Sequence, residues 1–338
     1  MTHIRIPNRN ECVTTTTPRC ILAGMESAVS AQLTDGSTLT HPWGGTSNIT
    51  DLGGDVHWID FGGPNGAPPI VLVHGLGGSH LNWVRVAPAL AARTRVYALD
   101  LAGFGLTSAR GRHTGVDANT VLLNRFLDTV VGEPTVLFGN SMGGMVSAMS
   151  THASPESVAG LVLVDPALPL PVQLPDLTVA AQFALYSMPY VGEQVLGFGR
   201  RKMSDRQLAA QMTRLCFADP TRADPAVLDA GAALTAIRRN EPTQDAEFLQ
   251  AARSLLMTLA RPASYRKTLR EITTPTLLMH GDRDRLVPVE AARAAAAAHP
   301  HWTTIILGDT GHTPQLEIPD EFTRHALAWL DRTGLIRS

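Results

Sequence analysis

Pro134-Thr135-Val136-Leu137-Phe138-Gly139-Asn140-Ser141-Met142-Gly143-Gly144-Met145-Val146-Ser147-Ala148-Met149 is the stretch that decides the fold of this chain. The run from Pro134 to Phe138 reads as a short buried strand, and the run from Met145 to Met149 continues as a helix. Between them lies Gly139-x-Ser141-x-Gly143, in the strand–turn–helix setting that exposes a serine hydroxyl. The reason is steric. A sharp turn forces the serine out of the regular backbone, and flanking glycines carry no Cβ to clash as the turn closes. Ser141 is therefore a candidate nucleophile, and a free hydroxyl needs a base to take its proton.

Three further segments have the same strand-then-loop form. Val71-Leu72-Val73-His74-Gly75-Leu76-Gly77-Gly78 runs into a glycine-rich loop. Thr276-Leu277-Leu278-Met279-His280-Gly281-Asp282-Arg283-Asp284 ends in acidic residues. Ile305-Ile306-Leu307-Gly308-Asp309-Thr310-Gly311-His312 ends in a histidine. Serine, acid and histidine thus follow one another in the order used by α/β-hydrolases, unlike the chymotrypsin and subtilisin orders. Over about residues 55 to 335 the chain resembles an α/β-hydrolase with an inserted cap. The resemblance implies a mostly parallel, eight-stranded α/β sheet flanked by helices, with a helical cap.

The resemblance also assigns roles. His312, in the loop after the last strand, is the expected base. Asp284 stands three residues after Gly281, where similar segments carry the acid that orients the imidazole; Asp165 and Asp282 are the alternatives. The backbone N–H of Met142, the residue after the nucleophile, is one expected oxyanion donor. Leu76 in the glycine loop is the other, with Gly77 as its alternative. His74 and the Asp100-Leu101-Ala102-Gly103-Phe104-Gly105 loop are expected to shape the site without taking part in the chemistry. Residues 177–192 carry no charge, and Trp83, Phe183, Tyr186, Met188 and Tyr190 are expected pocket residues.

Composition limits the alternatives. The 338 residues are 44% apolar, enough for a full core, and the net charge of −2 gives no basic field for nucleic acid. A metal site or other cofactor is not expected: His299-Pro300-His301 stands apart from any other ligand type, and the glycine loop lacks the lysine of a phosphate loop. The first residues lack the apolar core of a signal peptide, and a cytoplasmic location is expected. Residues 1–45 read as a mobile polar tail, and 46–167 with 267–338 as the hydrolase core. The gap between strands at 160–164 and 276–280 is too long for one crossover. Residues 168–266, with helices at Leu177–Ser187, Asp205–Cys216, Ala226–Arg239 and Asp245–Leu259, read as the cap. The expected reaction is hydrolysis of a small-molecule ester with an apolar acyl or aryl part. Carbon–carbon hydrolysis of the meta-cleavage type and ligand reception are the competing functions.

Overall fold

The computed structural model describes residues 39, 41–169, 181, 185, 188 and 191–336. Its strands are β1 (Thr46–Asp51), β2 (Asp55–Asp60), β3 (Ile70–Val73), β4 (Val96–Leu99), β5 (Thr135–Asn140), β6 (Val158–Val164), β7 (Thr276–Gly281) and β8 (Thr303–Leu307). They form one eight-stranded sheet in the order β1-β2-β4-β3-β5-β6-β7-β8. β2 pairs antiparallel with β1 and β4, and every neighbouring pair from β4 to β8 is parallel. Strand order reverses between β3 and β5. The loops that leave their carboxyl ends therefore flank the crevice where open α/β sheets bind ligands.

The helices are α1 (Ala87–Ala91), α2 (Val116–Phe126), α3 (Met142–Ala153), α4 (Val191–Lys202), α5 (Asp205–Cys216), α6 (Pro225–Arg238), α7 (Gln244–Leu259), α8 (Pro262–Glu271), α9 (Val289–Ala298), α10 (Pro314–Glu317) and α11 (Pro319–Arg332). Local chemistry fixes several ends. Ser204 and Gln207 form a capping box at the start of α5. Asp224 caps α6, whose first residue is Pro225, a position where a missing N–H costs nothing. Among the described residues no helix is long and apolar enough to cross a membrane.

Central strands are buried on both faces, and alternate residues feed two core layers. Val71, Val73, Leu137, Leu161 and Leu163 pack under α2, α3, α8 and α9. Ile70, Leu72, Val136, Phe138, Val162 and Val164 pack against α1 and α11, whose Phe322, Trp329 and Leu330 close that side.

Helices expected at Asp205–Cys216, Ala226–Arg239 and Asp245–Leu259 coincide with α5, α6 and α7 to within one residue. Two expected boundaries move. Leu39 is buried with Leu81, Val84, Ala230 and Leu234, so the body of the protein begins before residue 46. The expected boundary at 266 falls inside α8, whose Tyr265 and Leu269 are both buried. Residues 1–38 and 40 of the expected tail and most of the helix at Leu177–Ser187 lie outside the described residues.

Candidate active site

Ser141 follows directly on β5 and has φ 55° and ψ −120°, a conformation rarely adopted by a residue with a Cβ. Longer-range bonds hold it there. Its N–H donates to Val164 O at 3.0 Å, and its carbonyl accepts from Ala167 N–H at 3.0 Å. Gly143 is required by close approach, since a Cβ there would sit 2.4 Å from the carbonyl oxygens of Val73 and His74. The turn is thus pressed against the loop after β3.

His312 is buried, and its Nδ1–H donates to Oδ2 of Asp284 at 2.7 Å. Asp284 follows β7, and its Oδ1 accepts the N–H groups of Leu286 at 2.8 Å and Val287 at 3.1 Å. Burial alone would raise the Asp284 carboxyl, but the charge and hydrogen bond of His312 outweigh it and hold the group below the usual carboxylate range. Asn140, which the sequence reading did not single out, donates through Nδ2 to His312 O and Val164 O, both at 3.0 Å. The His312 N–H donates to Cys216 O at 2.6 Å.

The alternative acids sit differently. Asp165 is buried, and its Oδ1 accepts the Gly281 N–H at 2.8 Å. Burial, then the charge of Asp284, pushes its carboxyl well above the usual range, so it favours the neutral acid. Asp282 is exposed, and its Oδ1 accepts the Thr310 N–H at 3.4 Å.

Ser141 and His312 line one cavity of about 280 Å³ together with Gly75, Leu76, Gly77 and Gly78. Met142 opens α3, where the first N–H groups of a helix have no partner in the helix itself. His74 donates through Nδ1 to Gly75 O at 2.7 Å and accepts from Leu101 N–H at 3.0 Å, which pins the glycine loop.

The described cavity wall is mostly apolar, and much of it comes from three helices: Met212 and Leu215 on α5, Leu228 and Leu234 on α6, Phe248 and Leu255 on α7, with Asn82, Thr213 and Thr235 among its polar members. It contains no lysine or arginine among the described residues. Two expected pocket residues lie elsewhere. Trp83 is fully buried in the opposite core layer, its ring 6.4 Å from that of Phe322. An aromatic ring close in sequence to the glycine loop was enough to suggest a pocket role, but its side chain points away. Met188 is half exposed, off the described wall, and its carbonyl accepts from Arg253 at 3.2 Å. Phe183, Tyr186 and Tyr190 lie outside the described residues. A larger open groove of about 630 Å³, lined by Asp117, Glu193, Arg253 and Tyr265, holds neither Ser141 nor His312.

Among the described residues, two clusters bring His and Asp side chains together: Asp165, His280 and Asp284, and His57, His80 and Asp100. In each, hydrogen bonds already engage atoms that a cation would need. His280 Nε2 donates to Val287 O at 2.9 Å. Asp100 Oδ2 accepts from His57 Nδ1 at 2.8 Å, His80 Nδ1 at 2.9 Å and Leu106 N–H at 2.8 Å. The Asp100 cluster ties the loop after β4 to the segment after the glycine loop.

This buried polar chemistry has a pH consequence. Burial depresses the pKa values of His57, His74 and His280, with nearby carboxylates opposing it in part. Below pH about 6.5 the unfolded chain takes up protons that these rings refuse when folded, so stability falls as pH falls. Each ring that stays neutral costs about 1.4 kcal/mol per pH unit, down to its folded pKa. Asp100 is raised by burial but lowered further by the His80 charge and the His57 hydrogen bond. It ends well below the usual range, and its contribution is lost at still lower pH. Urea midpoints should therefore be clearly lower at pH 5 than at pH 7.5. Equal midpoints would contradict the burial of neutral histidines.

Comparisons with known proteins agree with this fold. The profile of the alpha/beta hydrolase fold family matches residues 68–319. The dihydrolipoyllysine-residue acetyltransferase component of the acetoin cleaving system of Pseudomonas putida is 30% identical over 283 residues, spanning 83% of this chain and 68% of that protein. Pimeloyl-(acyl-carrier protein) methyl ester esterase of Serratia marcescens is 27% identical, spanning 79% of this chain and 94% of that protein. The 2-hydroxy-6-oxo-2,4-heptadienoate hydrolase of Pseudomonas putida is 29% identical, over 76% and 86% of the two chains. Among solved structures, a 2-hydroxy-6-oxo-6-phenylhexa-2,4-dienoate hydrolase from Rhodococcus superposes with a TM-score of 0.66 at 22% identity, over 84% of this chain and 99% of that one. A serine hydrolase from Cycloclasticus zankles superposes with a TM-score of 0.67 at 19% identity, over 86% and 99%. At those identities the superpositions speak for the fold alone.

Proposed function

Since the chain belongs to the α/β hydrolase fold family, we propose that it is a cofactor-independent serine hydrolase acting on an uncharged carboxylic ester with an apolar acyl or aryl part. One observation carries the reading. His312, joined to Asp284 at 2.7 Å, lines the same largely apolar cavity as Ser141 on its strained turn.

In this reading Asp284 fixes the tautomer with the proton on Nδ1 of His312. Nε2 is then free to take the Ser141 proton as the hydroxyl attacks the ester carbonyl. The negative charge that develops on the carbonyl oxygen is met by the N–H groups of Leu76 and Met142. His312 returns the proton to the leaving alcohol, and water activated by the same ring releases the acid from the acyl-enzyme. Helices α5, α6 and α7 form the cap, so the cap sets selectivity while the sheet loops supply the chemistry.

Carbon–carbon hydrolysis is the second reading, because relatives named for dienoate substrates align over most of this chain. A dienoate carries a carboxylate. Taking that charge from water into a wall without a cationic partner would be costly. The described wall, free of lysine and arginine, therefore favours the neutral ester. A cavity of about 280 Å³ sits at the small end of small-molecule pockets and suits short to medium acyl groups.

The test is a series of p-nitrophenyl esters from acetate upward beside a dienoate substrate. Ester turnover that peaks at a short or medium chain supports the reading. Faster turnover of the dienoate favours the second reading. Tight ligand binding without turnover of either marks a receptor. Gly231 refines the test. It lines the cavity from α6, and a Cβ there would meet only Ala209 at an ordinary 3.7 Å. Gly231→Leu should fill part of the cavity without straining the helix. It should lower kcat/KM for octanoate roughly 10–100-fold more than for acetate, the scale set by a few methylenes in an apolar pocket. An equal change on both esters would place the acyl chain elsewhere.

A further inference from the structure

Glu317 ends the short helix α10, five residues after His312. Its side chain is completely buried, an unusual place for a carboxylate unless it is fully engaged. Its partners are mostly backbone. Oε2 accepts the Gly311 N–H at 2.8 Å and the Ala218 N–H at 3.1 Å. Oε1 accepts the Asp219 N–H at 2.9 Å and Arg222 Nη1 at 3.3 Å. Gly311 immediately precedes His312, while Ala218 and Asp219 follow the end of α5. The two segments also touch directly through the bond from His312 N–H to Cys216 O. They are packed closely enough that a Cβ on Gly311 would lie 2.3 Å from that same Cys216 oxygen. Arg222 completes the junction by bonding Asp309 O at 2.7 Å and Asp309 Oδ2 at 2.6 Å, at the start of the His312 loop.

We propose that Glu317 is a positioning residue for the base. Its carboxylate clamps the peptide before His312 to the end of α5, so the imidazole and one wall of the acyl cavity are placed by a single group. α5 also carries Met212, Leu215 and Cys216 of the cavity wall. Displacement of α5 by a ligand is thereby transmitted to His312 through three backbone N–H groups and one guanidinium. The inference rests on His312 acting as base, as proposed above.

Glu317→Gln is the informative change, because it keeps size and shape. An amide offers one acceptor oxygen in place of two, so one side of the clamp must face an NH₂ group. Misplacing a catalytic group by about 1 Å costs on the order of 10²-fold in rate. For acetate ester, kcat should therefore fall about 10²-fold while KM changes by less than about threefold, the pattern of a lost transition-state interaction. Labelling of Ser141 by a fluorophosphonate, which needs the base but no acyl cavity, should slow in parallel. A purely structural role would lower the melting temperature and leave the labelling rate of the folded fraction unchanged. That result overturns the proposal.

Arg222→Ala provides a second route should Glu317→Gln not fold. It loosens the clamp from its exposed side and should slow both turnover and labelling several-fold; unchanged rates would overturn the proposal. Wild-type controls separate the two levels. If the probe does not label wild-type Ser141, or labels a His312→Ala variant at the wild-type rate, the serine-hydrolase reading itself fails and the clamp fails with it. If those controls behave as expected and only the Glu317 and Arg222 variants match wild type, the positioning role alone is rejected.

Discussion

Ser141→Ala should abolish ester hydrolysis, with kcat falling on the order of 10⁵–10⁶-fold, because a nucleophile has no substitute within the same chemistry. The fold should be unaffected. Alanine keeps the Cβ, so the cost of holding φ at 55° is the same in both proteins, and the backbone bonds to Val164 and Ala167 do not involve the hydroxyl. Melting temperature should stay within a degree or so of wild type, since the change removes one oxygen and disturbs no packing. A fluorophosphonate should add its phosphonyl group to wild-type Ser141 and leave the variant unmodified. Retained turnover, or a label on another residue, would remove Ser141 from the mechanism.

Asp284→Asn should lower kcat about 10²–10⁴-fold, and the structure gives a reason beyond lost charge. Oδ1 of Asp284 accepts two backbone N–H groups, from Leu286 and Val287. An asparagine will keep its amide oxygen there, because its NH₂ group cannot accept from them. The NH₂ group then faces Nδ1 of His312, which at 2.7 Å must become an acceptor. The ring is left with its proton on Nε2, where it cannot take one from Ser141. Asp282→Asn is the matched control; its side chain is exposed and does not touch His312, so kcat should remain within about twofold. If the two variants exchanged effects, the acid would be Asp282. A silent pair would turn attention to Asp165.

The sheet and the elements that present the site were legible because their signals are local. A turn that needs glycine at 139 and 143 and strands of uninterrupted apolar residues each occupy a few neighbouring positions. The polar scaffolding was less legible. Asn140 bonds a carbonyl 172 residues away, and Glu317 bonds N–H groups 98 and 99 residues away. No spacing rule connects such partners. The cavity wall was obscured for another reason. Which face of α5, α6 or α7 looks inward depends on helix phase and on packing against distant loops. Leu39 was missed likewise, since a lone apolar residue in a polar segment carries no period.

The turn at Ser141 bears on how the protein would acquire the proposed activity. A serine at φ 55° and ψ −120° is held about 1–3 kcal/mol above its preferred conformations, so residues 139–143 will not adopt this shape by themselves. What imposes it comes from outside the segment: the carbonyl of Val164, the N–H of Ala167 and the contact with the loop after β3. All require β3, β5 and β6 to be paired already, and parallel pairing joins distant parts of the chain and forms slowly. On the proposed mechanism, competence at the serine is therefore expected to emerge late in folding, after these strands have paired. Partly assembled chains, with hydrophobic strands still unpaired, carry the serine in an ordinary, unreactive backbone. Recovery of activity on refolding thus reports completion of the central sheet, where recovery of helical signal does not.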